Sequence, residues 1–409
     1  MAADTLAVWL GDKEVGTLRR DPRGFTFASS DAARGLTAAA QGAESPWSRE
    51  FARNWFDNLL PDNAQRQAVA DAHGLSPTDV FALLGAVGWE CAGAVSVLPE
   101  ARLPASGSYR ALTDAELWAR LDALPFRLPE DEEHIRMSLG GAQDKLLLHR
   151  SATGWDLPLD GAVSTHILKP EPVIYRGLAA AEAMCLEAAA AATTAAQAEL
   201  LAASGHRPAL VVTRFDRTIS DGRPVRIHQE DGCQVLGLPP SARFATAQPS
   251  PARGSYGAIA RVLVRRAQDP SAELRGLLEQ MTVNQALGNR DAHAKNYSVL
   301  HQGGYVRMAP LYDVSPTRPF MLAAFGQEPR YSAMLVDGRR VFDSITRGSL
   351  AREAHAWGVP LAVARTAIAE TLERLAAGVS GARERYPSVG AEVRAAIDES
   401  LARLAASAW

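Results

Sequence analysis

At 409 residues the chain exceeds one ordinary hydrophobic core, so more than one substructure is expected. Its 47% hydrophobic and 22% charged content is that of a globular protein, and a net charge of −3 excludes a polyelectrolyte that coats nucleic acid wholesale, though not a local basic patch. Cys91, Cys185 and Cys233 are far apart and show no Cys-x-x-Cys spacing, which argues against a disulfide framework or structural zinc and for a reducing compartment.

The opening MAADTLAVWLGDKE has a short apolar run broken by Asp12, so no secretion signal is expected. Leu6–Leu10 and Val15–Leu18 predict two strands joined at Gly11-Asp12-Lys13-Glu14. Trp55 to Pro61 predicts an apolar turn, and Ala64–His73 a helix ended by Gly74. Ser76, Pro77 and Asp79 predict the start of a helix running to about Gly88. Nothing in this first hundred residues converges catalytic groups, so a compact α+β module without chemistry is expected.

Pro104–Tyr109 reads as a linker, and Thr113 with Glu116 as the capping box of a helix through Leu121. Ser138-Leu139-Gly140-Gly141-Ala142-Gln143-Asp144-Lys145 is a glycine-containing turn before the strand-like Leu146–His149. Glycines let backbone N–H groups approach a phosphate, and a nearby Lys adds charge. The turn is neither a Walker A loop nor G-x-G-x-x-G, and alone it reads as a hairpin. Val163–Lys169 and Ala209–Arg214 are two more strand candidates, with an Ala-rich helix over about Leu178–Ser204 between them. Glu182, Glu187 and Glu199 in that apolar stretch exclude a membrane span, and a cytoplasmic, membrane-free protein is expected.

Lys169 closes its strand, a costly place for an unpartnered charge. A strand Lys that meets nucleotide phosphates and a helix Glu is the kinase solution, and Glu182 lies nearer the start of the next helix than Glu187. Arg214-Phe215-Asp216-Arg217 ends the last strand before the composition turns helical. It is either a hinge whose backbone at Thr213 and Phe215 meets adenine, or a salt-bridged strand end. Gln229-Glu230-Asp231 is either a contact to substrate or to the phosphate loop, or a solvated turn.

Asp269-Pro270-Ser271 caps a helix to Leu287, and Gly288 releases the chain into Asn289-Arg290-Asp291-Ala292-His293-Ala294-Lys295-Asn296. Kinases place a base Asp and a metal-binding Asn with four residues between them, as Asp291 and Asn296 stand here. His293 has no second ligand at zinc spacing, and Lys295 is expected to face a phosphate. Arg290 and Lys295 are expected to lower the pKa of Asp291. Tyr297–Leu300 and Tyr305–Met308 flank Gln302-Gly303-Gly304 as a hairpin that returns to Tyr312-Asp313, so Asn296 and Asp313 can share one Mg²⁺. Ser349–Trp357, Leu361–Ala376 and Glu392–Ala406 predict terminal helices. The plan is α+β and bilobal: residues 1–100 as a module, 101–216 as the rest of a mixed α/β N-lobe, and 217–409 as a mostly helical C-lobe.

Assembled, these residues resemble the HipA family of bacterial serine/threonine kinase toxins over nearly the full chain. The resemblance is carried by Asn58-Leu59-Leu60-Pro61, Gly93-Ala94-Val95, Ser138 with Gly141 to Lys145, Thr165 to Lys169, Arg214 to Arg217, Gln229 to Gln234, Gly237-Leu238-Pro239, Asp291 to Asn296, and Tyr312-Asp313. It implies a protein-kinase-like fold using ATP and Mg²⁺. Gly140, Gly141, Ala142, Gln143, Asp144 and Lys145 would hold the phosphates, and Lys169 the α/β region. Thr213, Arg214 and Phe215 would hold adenine, with Asp291 as base. His293, Ala294, Lys295, Asn296, Tyr312 and Asp313 would complete the nucleotide and metal site. It further implies inhibitory autophosphorylation at Ser138, a HipB-like helix-turn-helix antitoxin through which the pair meets operator DNA, and an aminoacyl-tRNA synthetase as target. Departures are Leu139-Gly140-Gly141 and Asp144 in the loop, and a short Asp337-Gly338-Arg339-Arg340 where some relatives carry a longer lysine-rich run. A small-molecule phosphotransferase on the same scaffold, or a non-catalytic corepressor, are the alternatives.

Overall fold

A computed structural model describes residues 4–39, 46–99, 107–124, 143–245 and 254–409. The first module is an antiparallel sheet in the order β3-β2-β1-β4, made of β1 (Thr5–Leu10), β2 (Lys13–Asp21), β3 (Gly24–Ser29) and β4 (Val95–Pro99). Helices α1 (Arg49–Asp57), α2 (Asn63–Ala72) and α3 (Val80–Val87) accompany it. Alternation along β1 sends Leu6 and Val8 into the module core and Ala7 and Trp9 against Trp89 and Leu98. The apolar turn expected at Trp55–Pro61 is instead the last turn of α1 and its exit. The third helix starts later than expected, because Asp79 and not Ser76 accepts the N–H of Ala82 at 3.0 Å.

The second body is a six-stranded antiparallel sheet ordered β5-β7-β6-β8-β10-β9. It comprises β5 (Ser108–Leu112), β6 (Leu146–Ser151), β7 (Gly154–Leu159), β8 (His166–Pro170), β9 (Ala198–Leu201) and β10 (Ala209–Thr213). Its helices are α4 (Asp114–Ala123), which carries the expected Thr113–Glu116 capping box, and α5 (Leu178–Ala190). Leu148, Leu168 and Val211 face α4, while Ile167, Leu210 and Val212 face α5. Lys169 shares the parity of Ile167, so strand geometry aims it at α5. The Ala-rich helix is shorter than its propensity predicts. After Ala190 the chain leaves to pair with Leu311, whose N–H reaches the Thr194 carbonyl at 2.8 Å and whose carbonyl accepts from Ala196 at 2.8 Å. Tertiary pairing overrules propensity there. Part of the expected linker, Ser108 onward, is the edge strand β5.

The C-terminal body begins with the hairpin β11 (Arg217–Ser220) and β12 (Arg223–Arg226). A small sheet follows, from β13 (Gln229–Asp231), β14 (Ser298–Gln302) and β15 (Tyr305–Met308). The helices are α6 (Gly232–Leu236), α7 (Tyr256–Arg266), α8 (Pro270–Ala286), α9 (Thr317–Phe325), α10 (Arg347–Ala356), α11 (Leu361–Arg385) and α12 (Ala391–Ala406), with a hairpin of β16 (Tyr331–Val336) and β17 (Arg339–Val341). Leu277, Leu278, Met281 and Val283 of α8 are buried in a core shared with α7, α10, α11 and α12. The long α11 also packs on α5 and so bridges the two lobes. Gly378 makes that approach close: a Cβ there would stand 2.4 Å from the Ala188 carbonyl oxygen. The architecture is the expected α+β, bilobal plan. Among the described residues no helix is long and apolar enough to cross a membrane.

Candidate active site

Three pieces of backbone bring the candidate groups together. β8 aims Lys169 at α5, where its Nζ donates to Glu182 Oε1 at 2.9 Å and also to Asp313 Oδ1 at 2.6 Å. The turn after α8 carries Asp291 to Asn296. The β14–β15 hairpin returns the chain to Asp313, whose Oδ2 accepts from Asn296 Nδ2 at 2.9 Å. Asp313 has φ +62°, a left-handed conformation that Asp and Asn tolerate better than most residues. It is held there by the Leu311 pairing on one side and by Asn289, whose Nδ2 donates to the Asp313 carbonyl at 3.2 Å, on the other.

Charge follows from this packing. Surrounding protein opposes ionisation of Asp313, but Lys169 and then Lys145 outweigh it and hold the carboxyl down to about 2. Lys145, following Gln143 and Asp144 into β6, is pushed down to about 8 by burial and by Lys169. Burial raises the Asp144 carboxyl, partly offset by Lys145. Asp291 is pushed up to about 6 by its surroundings and by the charge of Asp313. This reverses the expectation that Arg290 and Lys295 would lower it. Arg290 is spent on Asp343 at 3.1 Å and lies over the Phe342 ring. Lys295 turns the other way.

Lys295 was expected at a phosphate; the structure corrects this. Its Nζ donates to Asn58 Oδ1 at 3.0 Å and lies 3.8 Å from Asp62 and 3.7 Å from Asp231. Asn58 and Asp62 belong to the first module, so Lys295 is a buried strut between that module and the turn after α8. Its carbonyl accepts from the Tyr312 hydroxyl at 2.6 Å.

Arg214 is the second correction. Alternation sends Arg214 and Asp216 inward and leaves Thr213 and Phe215 on the other side. The Arg214 guanidinium meets Asp216 Oδ2 at 2.7 Å and Glu90 Oε1 at 3.2 Å, and its backbone N–H reaches the Thr165 carbonyl. Neither is available to adenine, and the salt-bridged strand end is what the structure shows for this residue. Phe215 instead packs on Tyr312 with centroids 5.4 Å apart. Thr213 lies beside His166, 3.4 Å from its Nε2.

Glu230 is neither a ligand contact nor solvated. It is fully buried on β13 and accepts from Trp55 Nε1 and Ala38 N, both at 2.6 Å, and from His301 Nε2 at 2.8 Å. The first module, expected to be free of chemistry, is therefore keyed into the catalytic half through Asn58, Asp62 and Trp55. Asn289, which accepts the Asp291 N–H at 3.2 Å, was also missed as a positioning residue. Asn58 and Asn289 lay in plain view, inside Asn-Leu-Leu-Pro and inside the polar turn. Ser138, Gly140, Gly141 and Ala142 lie outside the described residues.

Two observations test the fit of a divalent cation. Among the described residues Asn296 Oδ1 is buried without a hydrogen-bond partner, while the Nδ2 of the same amide donates to the Asp313 carboxylate. An amide oxygen and a carboxylate are the hard donors such an ion takes. Burial and Arg243 push His293 down to about 4, a neutral side chain whose Nδ1 likewise has no partner among the described residues.

The lobes, the strand Lys with its helix Glu, and the Asp–Asn–Asp set define a kinase of bilobal plan. A HipA N-terminal domain matches residues 6–98 and a HipA-like C-terminal domain residues 137–379. The chain belongs to the HipA family of serine/threonine kinase toxins. It is 35% identical over 402 residues to a Sinorhizobium fredii protein named "Putative kinase Y4mE", covering 93% of this chain and 92% of that one. It is 28% identical over 409 residues to the Serine/threonine-protein kinase toxin HipA of Shewanella oneidensis, covering 95% and 89%. The solved complex of Shewanella oneidensis HipA, HipB and operator DNA contains a chain of the same fold, with TM-score 0.79, 23% identity, and 98% and 96% coverage.

Proposed function

We propose that the protein transfers the γ-phosphoryl group of ATP to serine or threonine hydroxyls with Mg²⁺, as the toxin of a toxin–antitoxin pair. The observation that carries this is the contiguous set Glu182–Lys169–Asp313–Asn296 with Asp291 opening beside it. In this reading Gln143, Asp144 and Lys145, with Gly140 to Ala142, cradle phosphates. Phe215 and Tyr312 flank the adenine, with Thr213 beside them, and His293 and Ala294 line the nucleotide side of the turn. Mg²⁺ would be held by Asn296 and Asp313, and when bound it offsets charge on the phosphates. The acceptor oxygen forms a bond to γ-phosphorus as the bond from that phosphorus to the β,γ-bridging oxygen breaks. The hydroxyl proton passes to Asp291, and ADP leaves.

The same reading includes autophosphorylation at Ser138, a HipB-like helix-turn-helix antitoxin that carries the pair to operator DNA, and a translation component such as an aminoacyl-tRNA synthetase as target. The fold shared with the chain in a HipA–HipB–operator complex supports the partner. Incubation with γ-labelled ATP and Mg²⁺ is expected to label the enzyme and a protein acceptor. Asp313→Asn, chosen because Asn keeps the left-handed backbone, is expected to remove label and growth arrest together. Equal labelling by Asp313→Asn, or label found only on a small metabolite, would sink the reading.

Lys169→Met leaves Glu182 and Asp313 without their common cation. The expected result is a fall in kcat of about 10²–10³-fold with an unchanged circular dichroism spectrum. A change confined to KM would instead make Lys169 a simple binding contact.

A further inference from the structure

A concave pocket of about 430 Å³ opens directly beside Asp291. Its walls are apolar: Tyr175 before α5, Phe244, Phe320 and Met321 on α9, and Tyr331 on β16. Tyr175 and Phe320 meet edge to face at 6.4 Å, so both lobes contribute to the pocket wall. It is fastened to the residue before the base. The Arg290 N–H donates to Thr317 Oγ1 at 3.0 Å, and the Arg290 carbonyl accepts from Ala333 N at 2.9 Å. Ala333 in turn accepts from Ala245 N at 2.7 Å, drawing the Phe244 wall to the same strand.

The pocket holds two guanidinium groups of different standing. Arg290 is neutralised by Asp343. Arg340 lies over the Tyr331 ring at 4.3 Å, its Nε is buried without an acceptor, and among the described residues no carboxylate pairs with it. One wall therefore offers a base, the body offers aromatic and thioether surface, and the rim offers a cation that no carboxylate of the described residues answers.

We infer that this pocket is the acceptor site, and that it selects a peptide segment whose serine or threonine has a large apolar neighbour and an acidic residue close by. The inference rests on the kinase reading above. With the hydroxyl at Asp291, the apolar side chain fills the cavity as an anchor and the acidic side chain answers Arg340. The volume is that of sites enclosing one ligand group with a few oriented polar contacts. A duplex nucleic acid would use Arg340 but has no group for a concave aromatic cavity. Arg340 is thus a specificity-determining residue, and Phe320 and Met321 size the anchor.

The test uses full-length enzyme, labelled ATP with Mg²⁺, and arrayed peptides with a fixed Ser and varied flanking positions. Wild type is expected to prefer Phe, Leu or Met next to Ser over Ala by about tenfold. It is also expected to prefer Asp or Glu nearby over Lys. Arg340→Glu is expected to invert the charge preference from acidic to basic, a change that loss of folding does not produce. Met321→Trp, which fills the cavity, is expected to raise KM for apolar-flanked peptides about tenfold more than for Ala-flanked ones, erasing the apolar preference. Peptide labelling with no flanking preference overturns the inference, as does an unaltered charge preference in Arg340→Glu. So does loss of duplex DNA binding by that variant without any change in peptide choice. Label on the enzyme itself but on no peptide overturns the acceptor site and leaves the kinase reading standing. No label anywhere overturns both.

Discussion

Asp291→Asn is expected to lower kcat by about 10²–10⁴-fold while leaving nucleotide affinity within a factor of a few. The substitution keeps the shape and removes only the proton acceptor. The Asn289 side chain that accepts the Asp291 N–H remains, so the turn is not expected to unfold. The pH profile carries a second readout. A base must be ionised to accept the hydroxyl proton, and this carboxyl is raised from the ordinary 3.8 to about 6 by its surroundings and by Asp313. Activity therefore rises with pH through a limb near 6, and kcat/KM at pH 5 falls to roughly a tenth of its plateau. A limb near 4, or a profile in Asp291→Asn with the wild-type limb intact, would assign the proton acceptor elsewhere. Stability of the variant measured beside its rate separates chemistry from folding.

Glu90→Ala is expected to destabilise the protein by about 3–5 kcal/mol, far beyond a surface substitution. Glu90 is buried at the join between the first module and the sheet that carries Lys169. It meets Arg217 at 2.9 Å, Arg214 at 3.2 Å and Arg226, and accepts from the Ser164 hydroxyl at 2.9 Å. Asp216, beside Arg214 and Arg217, is the other acid in this group. Truncation leaves two buried guanidinium groups, and a third that is partly buried, facing one carboxylate. The same arithmetic predicts an acid transition. Burial disfavours the Glu90 charge, but Arg217, Arg226 and Arg214 outweigh it and hold the group at about 2 rather than 4.5. Because the folded-state pKa is depressed, this stabilisation is complete above about pH 4.5 and is lost as pH falls toward 2. At about 1.4 kcal/mol per unit it amounts to roughly 3 kcal/mol, in line with the truncation. Urea unfolding followed by the fluorescence of Trp9, Trp55 and Trp89 across this window is the measurement. A Glu90→Ala protein as stable as wild type would show the network to be idle.

The convergence of these side chains was legible where it was local. Asp291, Asn296 and Asp313 sit on one turn and one hairpin, so their spacing alone predicts convergence, and the order of Lys169 and Glu182 predicts an ion pair across one strand–helix step. What escaped was long-range. Nothing local tells that Lys295 is drawn to Asn58 and Asp62, 237 residues away in the case of Asn58, and not to a phosphate. The sign of the Asp291 shift escaped for the same reason: Arg290 was counted as a neighbour, but packing gives it to Asp343. Arg214 and Glu230 look like site residues in a linear reading because buried ion pairs between bodies use the same residue types as catalysis. The early end of α5 was hidden by alanine, whose helix propensity is overridden by a backbone pairing with Leu311.

The Lys295 strut has a consequence for how such a chain can change over generations. Asn58 and Asp62 lie in one domain and Lys295 in the other, yet they form a single buried contact. Drift at Asn58 is therefore not free within its own domain; it has to be matched at the Lys295 turn of the other domain. A chimera joining the first module of one relative to the catalytic half of another should retain activity only when both sides of this contact come from compatible parents.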